Sequence, residues 1–198
     1  VGSEMCIRDK KYMVPDRPVV GRFTTADEPK ASLKLLMARR LVEAGVRFVQ
    51  VFLNGAPWDS HANVNDEIRK IAPVTDQSTA ALIKDLKQRG LLDETIVMWT
   101  GEFGRLPVSQ NGKGRDHNRN AFTALMSGGG FKAGHIHGAT NEVGYRAIED
   151  PVSVPDLFAT VLHQLGLDHD QLTYNHHGRE ETLTDSPVTD AAVQHALL

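Results

Sequence analysis

The chain has 198 residues, 40% of them hydrophobic and 24% charged, with a formal net charge of -3. That length suffices for one ordinary domain with a sizeable core, and the charge balance lacks the basic excess that binding a phosphate backbone requires, so nucleic acid is not an expected partner. No apolar run approaches the roughly 20 residues that span a bilayer; a single cysteine, Cys6, allows neither an intrachain disulfide nor a thiolate cage, so any metal would be held by oxygen and nitrogen.

Residues Val1 to Lys10 (VGSEMCIRDK) are neither periodic nor a good element start and resemble translated adapter sequence. They are set aside from the fold, which leaves residues 11–198 as a single partial domain. From Ala31 to Ala44 the apolar positions Leu33, Leu36, Met37, Leu41 and Val42 recur at helical spacing, with Ser32 near the start and Gly45 as a stop. Val46 to Leu53 is β-branched and aromatic and ends in Asn54-Gly55-Ala56-Pro57, which predicts a strand. A second helix is expected over Val74 to Arg89, with Val74, Ser78, Ala81, Leu82 and Leu86 on one face, a break at Pro73 and a stop at Gly90. Thr95 to Thr100 has the length and apolarity of a buried strand and completes a strand-helix-strand unit.

Val108 to Asn120 is polar and contains glycine, hence a loop, and leads into a strand over Ala121 to Ser127. Val154 to Leu165 is the last expected helix, opened by Pro155 and Asp156 and closed by Gly166. Beyond Leu167 the pattern dissolves into His, Asp, Thr and Pro. Strands separated by helices imply an α/β fold with a mostly parallel sheet covered on both faces.

Three clusters of acid and imidazole side chains flank the expected strands. In such sheets the ligand crevice lies outside the carboxyl ends of the strands, so the clusters read as one dispersed site. In Trp58-Asp59-Ser60-His61 the carboxylate and imidazole stand two residues apart and can reach one divalent ion if the backbone is extended; Asp59 can equally serve a turn or a helix cap. Gly101-Glu102-Phe103-Gly104-Arg105 sets Glu102 just past a buried strand, where it needs a partner: either Arg105 in an ion pair, or a metal that leaves Arg105 to hold an anionic substrate through its planar fork. In Gly114-Arg115-Asp116-His117-Asn118, His117 can ligate a metal while Asp116 fixes its ring tautomer or ligates as well, the alternative being a solvated loop. Together the clusters offer a donor set suited to Zn, Mn, Mg or Ca.

Other motifs fail their context. Gly128-Gly129-Gly130-Phe131-Lys132-Ala133 fits a dinucleotide fingerprint formally, but Gly134-His135-Ile136-His137-Gly138 follows in place of a helix. His135-Ile136-His137 reads as a short strand and His176-His177 as part of a polar surface tail. Nucleophile-elbow, zincin and P-loop motifs are lacking from the sequence.

A larger resemblance rests on the ordered series ARRLVEAGVRFV (Ala38 to Val49), WDSH (Trp58 to His61), GLLDET (Gly90 to Thr95), GEFGR (Gly101 to Arg105), GRDH (Gly114 to His117) and GAT (Gly138 to Thr140). Over about Ala31 to Leu167 the chain resembles the DUF1501 family. That family is placed with the alkaline phosphatase and sulfatase superfamily, so the resemblance implies a three-layer α/β/α sandwich with a mostly parallel sheet and a two-metal hydrolytic site. It further implies a C-terminal portion of a longer bacterial protein, periplasmic or otherwise exported, with the nucleophile and first metal-binding Asp upstream. On that basis Asp59, His61, Glu102, Asp116 and His117 would hold divalent metal. Arg105 or Arg115 would steady the anion of a small-molecule or glycan phosphate or sulfate ester. The pattern departs at Phe103, which stands where the superfamily keeps a His or Asn ligand. A non-catalytic exported binding or structural module on the same scaffold is therefore the competing expectation.

Overall fold

The computed structural model describes residues 31–53 and 56–198, so the expectation for the first ten residues lies outside it. The described chain mixes helices with short strands, an α/β protein in general terms. It divides into two compact units, one reaching to Leu91 and including Val108–Asp116, the other comprising Leu92–Pro107 and His117–Leu198.

The first unit is built on two helices. α1 (Ala31–Glu43) follows the predicted periodicity and ends where Gly45, at φ 90°, lets the Val46 N–H reach back 2.9 Å to the Leu41 carbonyl. It packs against α2 (Val64–Gln88). α2 is longer than expected because Pro73 lies inside it and does not break it. Proline removes the N–H that would bond the carbonyl of Arg69, but Arg69 and Lys70 lie on an exposed stretch of the helix, where solvent can offset the loss. The hydroxyl of buried Thr75 donates to the Ile71 and Ala72 carbonyls, both at 3.1 Å, and supports the turn around the proline. Upstream of Pro73, Val64, Ile68 and Ile71 keep the helical spacing.

Charge joins the two helices. Arg39 contacts Glu43 at 2.5 Å and Asp85 at 2.9 Å, while Arg89 contacts Asp85 at 2.8 Å and Glu43 at 3.2 Å. Hydrogen bonding from Arg89 is the main reason the Asp85 carboxyl lies below its ordinary range, and the same bond raises Arg89. Arg39 is buried, whereas Glu43, Asp85 and Arg89 are partly exposed, so solvent screening keeps the outer Arg89 contacts weak. The expected strand Val46 to Leu53 is not a strand. A strand needs a partner for its ladder, and here the Phe52 carbonyl accepts instead from the buried ammonium of Lys34 on α1, at 2.9 Å. Asn54 and Gly55, its expected terminators, lie outside the described residues.

The second unit begins with a 3-10 turn at Leu92–Glu94 and holds eight short strands: β1 (Val97–Trp99), β2 (Gly104–Arg105), β3 (His117–Asn118), β4 (Leu125–Ser127), β5 (Ala139–Thr140), β6 (Ala147–Glu149), β7 (Thr173–His176) and β8 (Arg179–Thr182). Both strands expected around the second and third clusters are present but shorter than predicted. The strands pair as β1 with β4, β2 with β3, β5 with β6 and β7 with β8, each antiparallel. This corrects the expectation of a mostly parallel sheet within a three-layer sandwich. Parallel neighbours need a strand-helix-strand crossover, and residues 46–53, the expected first strand of that unit, form no ladder.

α3 (Val154–Gln164) is close to its predicted bounds and carries most of this unit's core, with Leu157, Ala159 and Leu162 buried. Ser153, not singled out in the sequence, is its N-cap: its hydroxyl accepts from the Asp156 N–H at 3.1 Å, while Asp156 accepts from the Ser153 N–H at 3.0 Å. Gly128, Gly129 and Gly130 all adopt positive φ and no helix follows them, in line with rejection of the dinucleotide motif. The amide of Gln164 donates to the Gly129 carbonyl at 2.8 Å, which ties that glycine turn to α3. His135 to His137 forms no strand, contrary to expectation. The polar tail expected around His176-His177 is instead the β7–β8 hairpin, turned by His177 at φ 51° and Gly178 at φ 82°. A short helix α4 (Ser186–Thr189) and a 3-10 turn at His195–Leu197 end the chain.

Candidate functional site

The first unit brings Asp59, His61 and Asp116 together. Pro57 occupies the second position of a turn in which the Asp59 N–H reaches the Ala56 carbonyl at 2.9 Å. A tighter turn follows, with the His61 N–H bonded to the Asp59 carbonyl at 3.1 Å. These two turns fold Asp59 and His61 toward each other, and the His61 Nε2 lies 2.9 Å from Asp59 Oδ1. The other ring nitrogen, Nδ1, lies 3.0 Å from Asp116 Oδ1.

Asp116 reaches His61 because its loop is fastened to the 60–64 segment at several points. The Arg115 N–H donates to the Ser60 carbonyl at 2.8 Å, the Asn111 amide to the His61 carbonyl at 2.8 Å, and the Val64 N–H to the Lys113 carbonyl at 3.1 Å. Gly114 is buried where the two segments touch, and a Cβ there would fall on the main chain of His61. Ser60, also buried, donates its hydroxyl to the Glu67 carboxylate on α2. The second oxygen of Asp116 accepts from the Gln110 N–H at 3.0 Å, so the carboxylate is oriented before it meets the imidazole. Arg115 turns back on its own loop, its guanidinium donating to the Gly114 carbonyl at 2.7 Å.

The His61 side chain is 46% exposed, so water and ions reach this cluster. A neutral imidazole carries one N–H and one lone pair. Both His61 nitrogens face carboxylate oxygen, so one of those contacts needs a second ring proton or a cation. With Nδ1–H donated to Asp116, the Nε2 lone pair points to where Asp59 also offers an oxygen. Two ligands held about 2.05 Å from an ion at a right angle stand about 2.9 Å apart. The Asp59–His61 separation therefore fits adjacent positions around a small divalent metal. Asp116 then acts on the ring, as carboxylates behind metal-ligating histidines do.

The remaining predicted site residues lie in the second unit. Glu102 is exposed, so water satisfies its charge without the partner that a buried position would demand. Arg105 on β2 stands opposite His117 on β3 in the ladder. The Phe103 ring stacks at a tilt on the His117 imidazole, with centroids 4.1 Å apart, and the Arg105 guanidinium lies 5.6 Å from the Phe103 centroid. Asn118 is buried and bonds the Tyr145 carbonyl at 2.9 Å, a structural role. Sequence reasoning missed Gln110, Asn111 and Gly114 as the residues that fix the Asp116 loop; the readable signal was Asn111 two and three residues ahead of Lys113 and Gly114, whose N–H groups its side chain accepts.

Fold and site together define an α/β protein whose first unit presents a carboxylate-imidazole-carboxylate cluster on fastened loops. The chain matches the family model described as "Protein of unknown function (DUF1501)" over residues 15–197, and it belongs to that family. No curated protein and no solved structure matches it. Among the described residues no helix is long and apolar enough to cross a membrane.

Proposed function

We propose that this protein is a metal-dependent hydrolase of phosphate or sulfate esters, with Asp59 and His61 as ligands of a divalent ion and Asp116 holding the His61 ring. The observation that supports it best is the placement of both His61 nitrogens against carboxylate oxygen, at 2.9 and 3.0 Å. Within this arrangement Asp116 keeps the proton on Nδ1 and leaves Nε2 to donate its electron pair. Arg115, on the same loop, is the cation that steadies a bound oxyanion. A divalent ion held by Asp59 and His61 would supply water activation at neutral pH and polarisation of an ester oxygen. The resemblance of the WDSH, GEFGR and GRDH motifs to the alkaline phosphatase and sulfatase superfamily supports the ester class and an exported location as parts of this proposal.

The competing reading, a non-catalytic binding module, is favoured by one contact: the Phe103 ring covers the His117 imidazole at 4.1 Å, occupying one face of an expected ligand. Metal titration decides. Loading the chelated protein with Zn or Mn should be stoichiometric in elemental analysis and should support hydrolysis of an aryl phosphate or sulfate. His61→Ala should lose the metal, and Asp116→Asn should weaken its binding by about 10- to 100-fold. Unchanged metal content in His61→Ala, or stoichiometric metal with no ester hydrolysis, would refute the proposal.

A further inference from the structure

Residues 46–53 have the composition of a strand but no ladder. Phe48, Gln50 and Phe52 are exposed, while Val49, Val51 and Leu53 are half-buried, the two-residue period of an extended chain with one face turned to solvent. Phe48 is 51% and Phe52 48% exposed. In an extended chain the N–H and C=O of one residue point to one edge, and those of the next residue to the other. The Lys34 ammonium takes the Phe52 carbonyl at 2.9 Å, so it occupies the edge of the even-numbered residues. The opposite edge belongs to Val49, Val51 and Leu53, whose main-chain groups make no hydrogen bond among the described residues. Unpaired main chain of this kind is a template for another strand.

The sequence specifies which strand fits. Phe48-Val49-Gln50-Val51-Phe52 reads the same in both directions. An antiparallel copy related by a two-fold axis at Gln50 sets Phe48 opposite the partner's Phe52, Val49 opposite the partner's Val51, and Gln50 opposite the partner's Gln50. Val49 and the partner's Val51 then exchange hydrogen bonds and satisfy the open edge. Phe48 and the partner's Phe52 fall at a non-hydrogen-bonded pair, where side chains approach most closely, and aromatic pairs across a ladder stabilise it. Charge does not oppose the pairing: the five residues are neutral, and Arg47 meets the partner's Leu53 rather than its own copy. Two half-exposed rings per copy offer roughly 400 Å² of ring surface to the contact. That lies well below the roughly 1,200 Å² of a stable complex, so the contact is a weak one.

We propose that residues 48–52 are a self-complementary edge through which two copies of this chain pair as antiparallel strands about Gln50. Sedimentation from about 1 μM to 1 mM should show monomer passing to dimer and to nothing larger, because a contact on a two-fold axis closes on itself. Gln50→Lys and Gln50→Glu change an exposed side chain that meets its own copy on the axis. Each should weaken the dimer about two- to fivefold, and the two mixed together should pair more tightly than either alone. Phe48→Ser removes both aromatic pairs at once and should weaken the dimer at least about fivefold. Amide hydrogen exchange at Val49 and Val51 should slow as the protein is concentrated, while exchange at Gln50 and Phe52, on the other edge, should not.

Circular dichroism of Phe48→Ser separates lost pairing from lost fold, and the Gln50 variants test the axis with the side chain already in solvent. A chain that stays monomeric up to about 1 mM would overturn the assignment. So would a dimer unaffected by the Gln50 charges, or one that the mixture does not restore. Val49 and Val51 amides already protected in the monomer would show that another strand holds the edge, which equally refutes it.

Discussion

Asp156 makes the sharpest stability prediction, because both of its oxygens are occupied. Oδ2 accepts from the Ser153 N–H at 3.0 Å and from the Ser153 hydroxyl at 2.6 Å; Oδ1 accepts from the Ala192 N–H at 2.9 Å. Burial alone would raise this carboxyl, but the bonds from Ser153, Ala192 and Gln194 outweigh it and hold the group below its ordinary value. Asp156→Asn removes the charge and turns one acceptor into an NH2, so one of the two donor sets faces another donor. Loss of a charge-assisted bond together with that mismatch costs about 2 kcal/mol. For a chain of this size a loss of that order lowers the melting temperature by about 4–8 °C. The sign with pH follows from the depressed folded value. Such a group contributes its stability above the unfolded carboxylate value of about 3.9 and loses it as the pH falls through the lower folded value. Thermal and urea unfolding of wild type and Asp156→Asn, followed by circular dichroism from pH 7 to pH 2.5, should therefore give a gap that is full at pH 7 and closes at the acidic end. A gap that stays constant across that range, or one under about 0.5 kcal/mol at pH 7, would refute the assignment of the capping box as a charged anchor.

Two further substitutions test the first unit. Pro73→Ala restores the N–H to the Arg69 carbonyl on an exposed face of α2, and should stabilise the protein by about 1–2 kcal/mol after the greater freedom of the unfolded chain is subtracted; a lower urea midpoint would show that the proline shapes a bend the packing needs. Gly114→Ala drives a methyl into the His61 main chain and should cost about 2–3 kcal/mol while parting Asp116 from His61. An unchanged His61 ring-nitrogen resonance in that variant would mean that the fastened loop does not position the imidazole.

The fold was legible wherever a local period decided it. Leu33, Leu36, Met37 and Leu41 mark one helix face whatever surrounds them, and Gly45, Gly90 and Gly166 each follow a helix end. Strands were less legible because their ladder depends on a partner that the segment itself does not name. Val46 to Leu53 has the composition of a strand, yet the Lys34 ammonium, on α1, captures one of its carbonyls. The opposite error occurred at the β7–β8 hairpin. Its strands are polar, with Tyr174, Asn175, His176, Arg179 and Glu180 exposed and Glu181 half-buried, so no hydrophobic alternation marks them. The N-terminal half of α2 was lost to a rule about proline that holds for the hydrogen bond but not for the helix, since an exposed carbonyl can turn to water.

The site was legible in chemistry and not in pairing. The spacing of Asp59 and His61 identified two donors able to converge, and the turn from Ala56 to Asp59 shows how Pro57 helps bring them there. Asp116 was recognised as a candidate ligand or as the partner of the next residue, His117. The bond it makes to His61 spans 55 positions. Nothing in either motif encodes that distance; it is set by the main-chain carbonyls of Ser60 and Lys113, the side-chain amide of Asn111 and the close approach at Gly114. The consequence is chemical. A carboxylate on Nδ1 determines which His61 nitrogen keeps its electron pair, so neutral main-chain and amide groups of the loop decide whether the imidazole and Asp59 can share a cation.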